Sequence, residues 1–583
     1  MFNLFYYKPK NRNFLENLEK HGIENPQNYV PIYKTFFDLN ETNYNNISFN
    51  HRHHIVDIVY SQRSSKSEEF CENGLIYDTF FKEHTSQAPF FIKYSPVLDP
   101  IHYMMGKYNT KDPRIRNLPQ LNSTEETCLP KLLDTNNSSY IDGFFTFLTS
   151  ILLHNHGVFH GVDYYGSFMG IQREFNINVV DDLEHLDDSD FFHKNLNKLF
   201  SVNNPYETPF FCNNSRNCKT RLLISGTDVE FDDADIEVLG ADADVAVAEI
   251  DACFSEPAEN PLSSHRSESG ENSTSLSEIK DISDDFCGGG DVGAITELEL
   301  EYEKSSNKSI ELNEENDDSS SLNYTTDGEQ FDDEILSSDD EETVYTSIDD
   351  EDDNESFENS EVLATIYNFP VNMICMEKCA GTLDSIMNNL SEDEWRSALF
   401  QVIMILLIYQ KTFYLTHNDL HTNNIMFVET THKHIYYKFD GNTYKIPTFG
   451  RIYKIIDYGR AIYTFSGRLF CSDSFDFRGD AATQYNFPPY YNDKRPIVEP
   501  NYSFDLCRLG CSIYDFVFEN ENDAPRTGFE QLVLDWCTDD NGKNVMYKKN
   551  GEERYMDFKL YKMIARSVHN HTPNSQLKRA FFS

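Results

Sequence analysis

The chain has 583 residues, a formal net charge of −48 and a hydrophobic content of 39%. It is too long for one compact core, since single cores stop growing near about 250–300 residues, and too apolar to be disordered throughout. The charge is uneven: 44 acidic and 4 basic residues fall between Leu222 and Ser360, a net of −40 that leaves −8 for the rest, and with no basic stripe anywhere this excludes direct nucleic-acid binding.

The opening residues MFNLFYYKPKNRNF are aromatic but lack the apolar core and small-residue cleavage site of a secretion signal. The longest apolar run, Val402 to Tyr409, falls far short of the roughly 20 residues a membrane span needs. The expectation is a soluble, intracellular protein of cytoplasm or nucleus, with no membrane partner. Twelve scattered cysteines without a zinc-type CxxC pair read as free thiols in a reducing compartment. The His51 to His54 cluster reads as surface polar residues rather than a metal site, having no supporting Cys or His spacing. No internal repeat is visible.

Residues 226–361 carry repelling carboxylates and too few apolar side chains to offset ordering entropy, so this insert is expected to be disordered. Within it, Ser337 to Glu342 (SSDDEE) resembles an acceptor for acid-directed kinases, and the charge would suit basic protein partners such as histones. Leu363 to Met376 reads as a strand. Ser391 and Glu394 stand in capping-box spacing at the head of an apolar helical pattern reaching Phe413. Asp440-Gly441, flanked by Tyr and Lys-Ile runs, predicts a hairpin, and Arg451 to Ile456 a further strand. Ser503 to Phe518, Phe558 to Val568 and Gln576 to Phe581 read as helices.

Two polar loops interrupt these elements. In Thr416-His417-Asn418-Asp419-Leu420-His421-Thr422-Asn423-Asn424, an Asp and an Asn five positions apart follow a buried helix. Phosphoryl transfer needs a carboxylate within reach of the attacking hydroxyl and oxygen ligands for magnesium; Asp419 suits the first role and Asn424 the second. In Ile455-Ile456-Asp457-Tyr458-Gly459 a strand delivers one more carboxylate, which with Asn424 could hold Mg2+ against a nucleotide.

These loops resemble the eukaryotic protein-kinase family, with its His-Arg-Asp catalytic loop and Asp-Phe-Gly metal loop. Asp505 to Tyr514 (DLCRLGCSIY) is similar to the family's central helix, whose Asp anchors the catalytic loop. Met373 to Leu383 resembles the fifth strand and hinge, with Met376 as gatekeeper and the Glu377 carbonyl and Cys379 amide facing adenine. His160 to Phe168 resembles the fourth strand. Pro89 to Tyr94 resembles the strand whose Lys, here Lys93, pairs the nucleotide phosphates, and Asp142, on the aromatic-rich helix Tyr140 to Leu152, is its candidate acidic partner, about two turns earlier than the family's Glu. The resemblance implies an α+β, bilobal protein-kinase-like fold: an N-terminal extension (1–69), a small β-rich N-lobe (70–225), the acidic insert (226–361), the N-lobe's last strand and hinge (362–378) and a larger helical C-lobe (379–583).

Three departures refine it. No Gly-x-Gly-x-x-Gly precedes Lys93, Gly74 being the one glycine in that zone; Asn418 replaces the Arg that receives an activation-loop phosphate; and His421 replaces the catalytic-loop Lys, with no clear Ala-Pro-Glu downstream. His421, Tyr458 and the Ile435 to Ile456 hairpin resemble haspin, an atypical member, and Phe91 to Pro96 with Gly106 to Tyr108 is similar to kinase-like proteins of large nucleocytoplasmic DNA viruses. The resemblance implies an ATP- and magnesium-dependent Ser/Thr protein kinase with Asp419, His417 and His421 as catalytic-loop residues, and Asn424 and Asp457 on the metal. A pseudokinase scaffold, suggested by the missing glycine loop, and a choline-kinase-like small-molecule kinase are the alternatives.

Overall fold

The computed structural model describes residues 3–59, 72–203, 362–518, 523–556 and 558–582, with isolated positions at 222, 236–239, 248–249 and 280–281. Apart from those positions, the insert expected over 226–361 lies outside the described residues. The chain is mixed α+β, and seven strands make one antiparallel sheet: β1 (Ile23–Gln27), β2 (His53–Val59), β3 (Glu72–Asp78), β4 (Glu83–Pro96), β5 (Tyr164–Asn178), β6 (Phe200–Asn203) and β7 (Leu363–Glu377). Their order is β1-β5-β7-β4-β3-β2, with β6 beside the first residues of β7. The chain ahead of residue 70, expected as an extension without assignment, therefore supplies two strands.

Strand β7 is central because both of its faces are apolar: Val371, Met373, Ile374 and Cys375 are fully buried, as a strand covered on both sides requires. Asn372 sits among them and spends its amide on the Ser139 carbonyl at 2.8 Å, which removes the cost of an unpaired buried donor. Beside it, β4 pairs Lys93 opposite Ile374 and Ile92 opposite Cys375. Side chains alternate along a strand, so Phe90 and Ile92 go into the core while Phe91 and Lys93 share the other face. Phe90 is 0% and Phe91 47% exposed.

The helix expected over Tyr140 to Leu152 extends to Ser138–His156 (α1). Asn137 caps its first turn by accepting from the Ser139 amide, and Gly157 closes it with φ +67°, a left-handed conformation that glycine adopts without strain. Every residue from Ser139 to Leu152 is buried, apolar residues lying on all sides of the helix with Asp142 among them. Phe144 and Phe147 pack on Phe49, whereas Phe145 meets Tyr409, Tyr458 and Tyr463. The helix thus ties the sheet to the chain's C-terminal part.

That part is built on α2 (Glu392–Phe413), whose capping box is complete: Ser391 Oγ accepts from the Glu394 amide, and the Glu394 carboxylate accepts from the Ser391 amide. After it come β8 (Ile425–Glu429), β9 (His434–Phe439), β10 (Asn442–Pro447) and β11 (Arg451–Ile455). The predicted hairpin is β9-β10, turned by Asp440 (φ 50°) and Gly441 (φ 72°) with Phe439 opposite Asn442; two positive φ values match strand twist at a two-residue turn. Glu237–Leu239 adds an antiparallel strand to β10. Helices α3 (Phe504–Val517), α4 (Gly528–Trp536) and α5 (Lys559–Ser567) follow. The helix expected over Gln576 to Phe581 is absent: a short helix at Pro573–Gln576 precedes that stretch and a 3-10 turn at Ala580–Phe582 closes it. The seven described cysteines are free and buried. Among the described residues no helix is long and apolar enough to cross a membrane.

The His51 to His54 stretch, expected at the surface, is largely internal: His51 is 0% and His54 6% exposed. His54 Nε2 donates to the His51 carbonyl and Nδ1 accepts from the Ser48 hydroxyl, which satisfies that ring inside. His160 is buried too, with Nδ1 against the Tyr453 carbonyl and Nε2 against the Tyr437 hydroxyl, both at 2.6 Å. Since the carbonyl can only accept, Nδ1 carries the proton and Nε2 accepts, which is the neutral tautomer. Burial lowers His54 to about 4 and His160 to about 3.

An unfolded chain takes up these protons near pH 6.5, whereas the folded chain refuses them until far lower pH. Stability from each is therefore complete above about pH 6.5 and lost as pH falls toward the folded values, by about 1.4 kcal/mol per pH unit per group. The melting temperature is expected to drop between pH 6.5 and 4.5, and less steeply in His160→Gln; equal slopes in a pH series of melting curves would show that His160 is not a source of this acid sensitivity.

Candidate functional site

The 417–424 loop follows α2 and is fixed from below by Asp505, in the first turn of α3. One Asp505 oxygen accepts from the His417 amide at 3.0 Å and the other from the Asn418 amide at 2.8 Å. Asp505 is fully buried, and burial raises its pKa against these two amides. A helix N-terminus favours a carboxylate there. Gly510, one turn further, lets α3 and α4 approach closely, for a Cβ would stand 2.9 Å from that of Trp536.

Asn418 holds an unusual backbone, φ +66°, and its side chain pays for it: Nδ2 donates to the carbonyls of Thr416 and Arg460, and Oδ1 accepts from Tyr485 at 2.6 Å. Non-glycine residues at positive φ are strained and persist where their surroundings over-determine them. The His417 ring spans to the second loop, Nε2 donating to the Ile456 carbonyl at 2.9 Å, while Nδ1 accepts from the Asp419 amide at 3.3 Å. Asn424 uses its amide N–H groups on the Asp419 carbonyl and His421 Nε2, at 2.9 and 3.0 Å, which keeps its carbonyl oxygen for another partner.

The second loop carries Asp457, also at positive φ (+65°). Its Oδ1 lies 2.7 Å from Lys93 Nζ, and the same ammonium is 2.7 Å from Asp142 Oδ2. Asp142 Oδ1 accepts from the Tyr458 amide at 2.8 Å. Sheet, helix α1 and acidic loop thus meet at one ammonium. Burial raises Asp142 despite Lys93; Asp457, which desolvation would also raise, is pulled down to about 2 by Lys93. Two carboxylates sharing one ammonium leave a net single negative charge.

Asp419 is half-buried. Its carboxyl is depressed: desolvation raises it, but Arg460, Arg508 and His421, with the Tyr561 hydroxyl, outweigh that. Arg460 Nη1 stands 3.5 Å from Asp419 Oδ1 and its Nη2 2.7 Å from Asp480. Arg460, Arg508, Asp480 and Tyr561 had no marker in the sequence.

No protein-family model matches this chain. No curated protein matches it either.

Of the residues expected around adenine, Met376 and Cys379 are buried, with the Cys379 thiol pushed up to about 12 by burial. The β7-β5 ladder shifts register between Cys375 and Met376, the kind of bulge that re-aims side chains. The Glu377 side chain is engaged by the buried Lys454 ammonium and the Asp163 amide. Asp163 in turn accepts from His53 Nδ1 at 2.6 Å and His154 Nε2 at 2.7 Å. Sequence reading missed this network because its members lie far apart along the chain.

Replacing Asp505 by Asn turns one acceptor into a donor facing an amide N–H. Urea unfolding of Asp505→Asn is expected to show a loss of about 1–3 kcal/mol; an unchanged midpoint would mean that Asp505 does not hold the 417–424 loop.

Proposed function

We propose that this chain is an ATP-dependent phosphotransferase acting on Ser or Thr hydroxyls of a protein, built on a two-lobed, protein-kinase-like plan with haspin-like loops. In this plan the seven-stranded sheet with α1 is the smaller lobe and α2 to α5 belong to the larger. The observation that carries the reading is the convergence of Asp142 and Asp457 on the Lys93 ammonium, beside a 417–424 loop fixed by Asp505. A surface lysine on an apolar strand would have no reason to meet two carboxylates from a helix and a loop.

The donor set fits magnesium. Asp457 keeps one oxygen beyond the Lys93 pair, Asn424 keeps its carbonyl oxygen, and the Lys93 group's net negative charge favours a divalent cation. Bound there, the ion supplies charge neutralisation for the nucleotide phosphates. Lys93 orients those phosphates, with Asp142 holding its ammonium in place. Asp419 accepts the hydroxyl proton as the new O–P bond forms; its depressed pKa keeps it ionised at neutral pH. His417 and His421 act by position: His417 locks the two loops together, and His421 orients Asn424.

A nucleotide-binding scaffold without turnover is the second reading. It is favoured by the connection between β2 and β3, residues 60–71, whose sequence contains no glycine to lie over the phosphates.

Asp419→Asn is expected to cut phosphate transfer to protein substrates by about 10²–10⁴-fold while the magnesium- and ATP-dependent rise in melting temperature persists. Full transfer by Asp419→Asn would sink the assignment of the base; a wild-type thermal shift without any transfer would favour the scaffold.

A further inference from the structure

Helix α5 carries a side chain to which the reaction above gives no part. Tyr561 lies 142 residues from Asp419, yet its hydroxyl donates to Asp419 Oδ1 at 2.9 Å. The same phenolic oxygen accepts from Arg508 Nε at 2.7 Å. The guanidiniums of Arg508 and Arg460 lie 5.0 and 5.5 Å from the ring centroid, and Phe558 stacks on the ring at 5.0 Å and 17°.

A tyrosine serving only to orient Asp419 would need one hydrogen bond. This hydroxyl also receives a cationic donor on its oxygen, which stabilises the phenolate, while its proton points at the carboxylate that would take it. An acceptor about to attack phosphorus needs the same arrangement: proton toward the base, developing charge compensated, and a lone pair still free on oxygen. The phenol's length accounts for how α5 can stand back from the carboxylate and still deliver a hydroxyl to it.

We propose that Tyr561 is an internal phosphate acceptor, onto which the chain transfers the terminal phosphoryl group of a bound nucleoside triphosphate in cis. The proposal rests on the reading of Asp419 as the base. The Tyr561 oxygen bonds to the γ-phosphorus as the bond from that phosphorus to the β-γ bridging oxygen breaks. The electron pair leaves with the nucleoside diphosphate, and the phenolic proton passes to Asp419 and then to solvent. The product carries a charge of about −2 between Arg460 and Arg508, which suit a phosphate as charge-assisted donors, and it repels Asp419. Phosphorylation would in this way release α5 from the carboxylate and clear the acceptor position for an outside protein.

The test is phosphopeptide mapping of the phosphatase-treated full-length chain after incubation with magnesium and ATP. The expected result is phosphate at Tyr561, appearing at a fractional rate unchanged over a tenfold dilution, and absent from Asp419→Asn even when mixed with wild type. Phosphate on other residues or on an added protein, with none at Tyr561, would overturn the proposal and leave Asp419 as the base. Labelling of Asp419→Asn at Tyr561 by wild type would place the transfer between molecules and overturn it as a cis event. No transfer to any acceptor would defeat both the proposal and the function on which it rests.

Discussion

The Asp142 carboxylate sits where three parts of the chain would otherwise be independent. One of its oxygens holds the Lys93 ammonium on β4 and the other holds the Tyr458 amide in the acidic loop. Because Asp142 is 1% exposed, its charge cannot turn to water and must be met by these partners, as buried carboxylates require. The aromatic packing of α1 on both sides keeps the carboxylate in place, so the geometry of Asp457 follows from the core of the helix. A displacement of α1 by about an ångström would draw Asp142 away from both Lys93 and the Tyr458 amide, which couples the packing of the core to the geometry of the loop.

The second constraint is the pair of positive-φ residues, Asn418 and Asp457. Each is held by its surroundings: Asn418 by Asp505, Tyr485 and Arg460, and Asp457 by Lys93. Strain persists where the surroundings hold it in this way.

Much of this was legible in the sequence. The capping box at Ser391 and Glu394, the Asp440-Gly441 turn and the buried strand before Glu377 depend on neighbours within a few residues, and local rules read them correctly. The polar loops containing Asp419, Asn424 and Asp457 were readable as loops because each concentrates polar residues in a short run between apolar elements. Lys93 with Asp142 needed a family resemblance, since nothing local distinguishes that lysine from a surface one. Arg460, Arg508 and Tyr561 were not legible at all: they converge on Asp419 from the acidic loop, α3 and α5, and only the folded chain sets them side by side. The buried histidines failed for a related reason, as a short polar run at the head of a strand reads as surface until the Ser48 hydroxyl and the His51 carbonyl are seen to satisfy the His54 ring.

Strand β6 ends at Asn203, and β7 begins opposite it with Leu363. The chain therefore leaves the sheet and re-enters it at adjacent rungs of one ladder, as it would across an ordinary hairpin turn. Closing a loop costs only logarithmically more as it lengthens, so this ladder does not fix the length of the chain that joins its two rungs. Most of the molecule's net charge is carried there, so charge and sheet register are written in separate parts of the sequence.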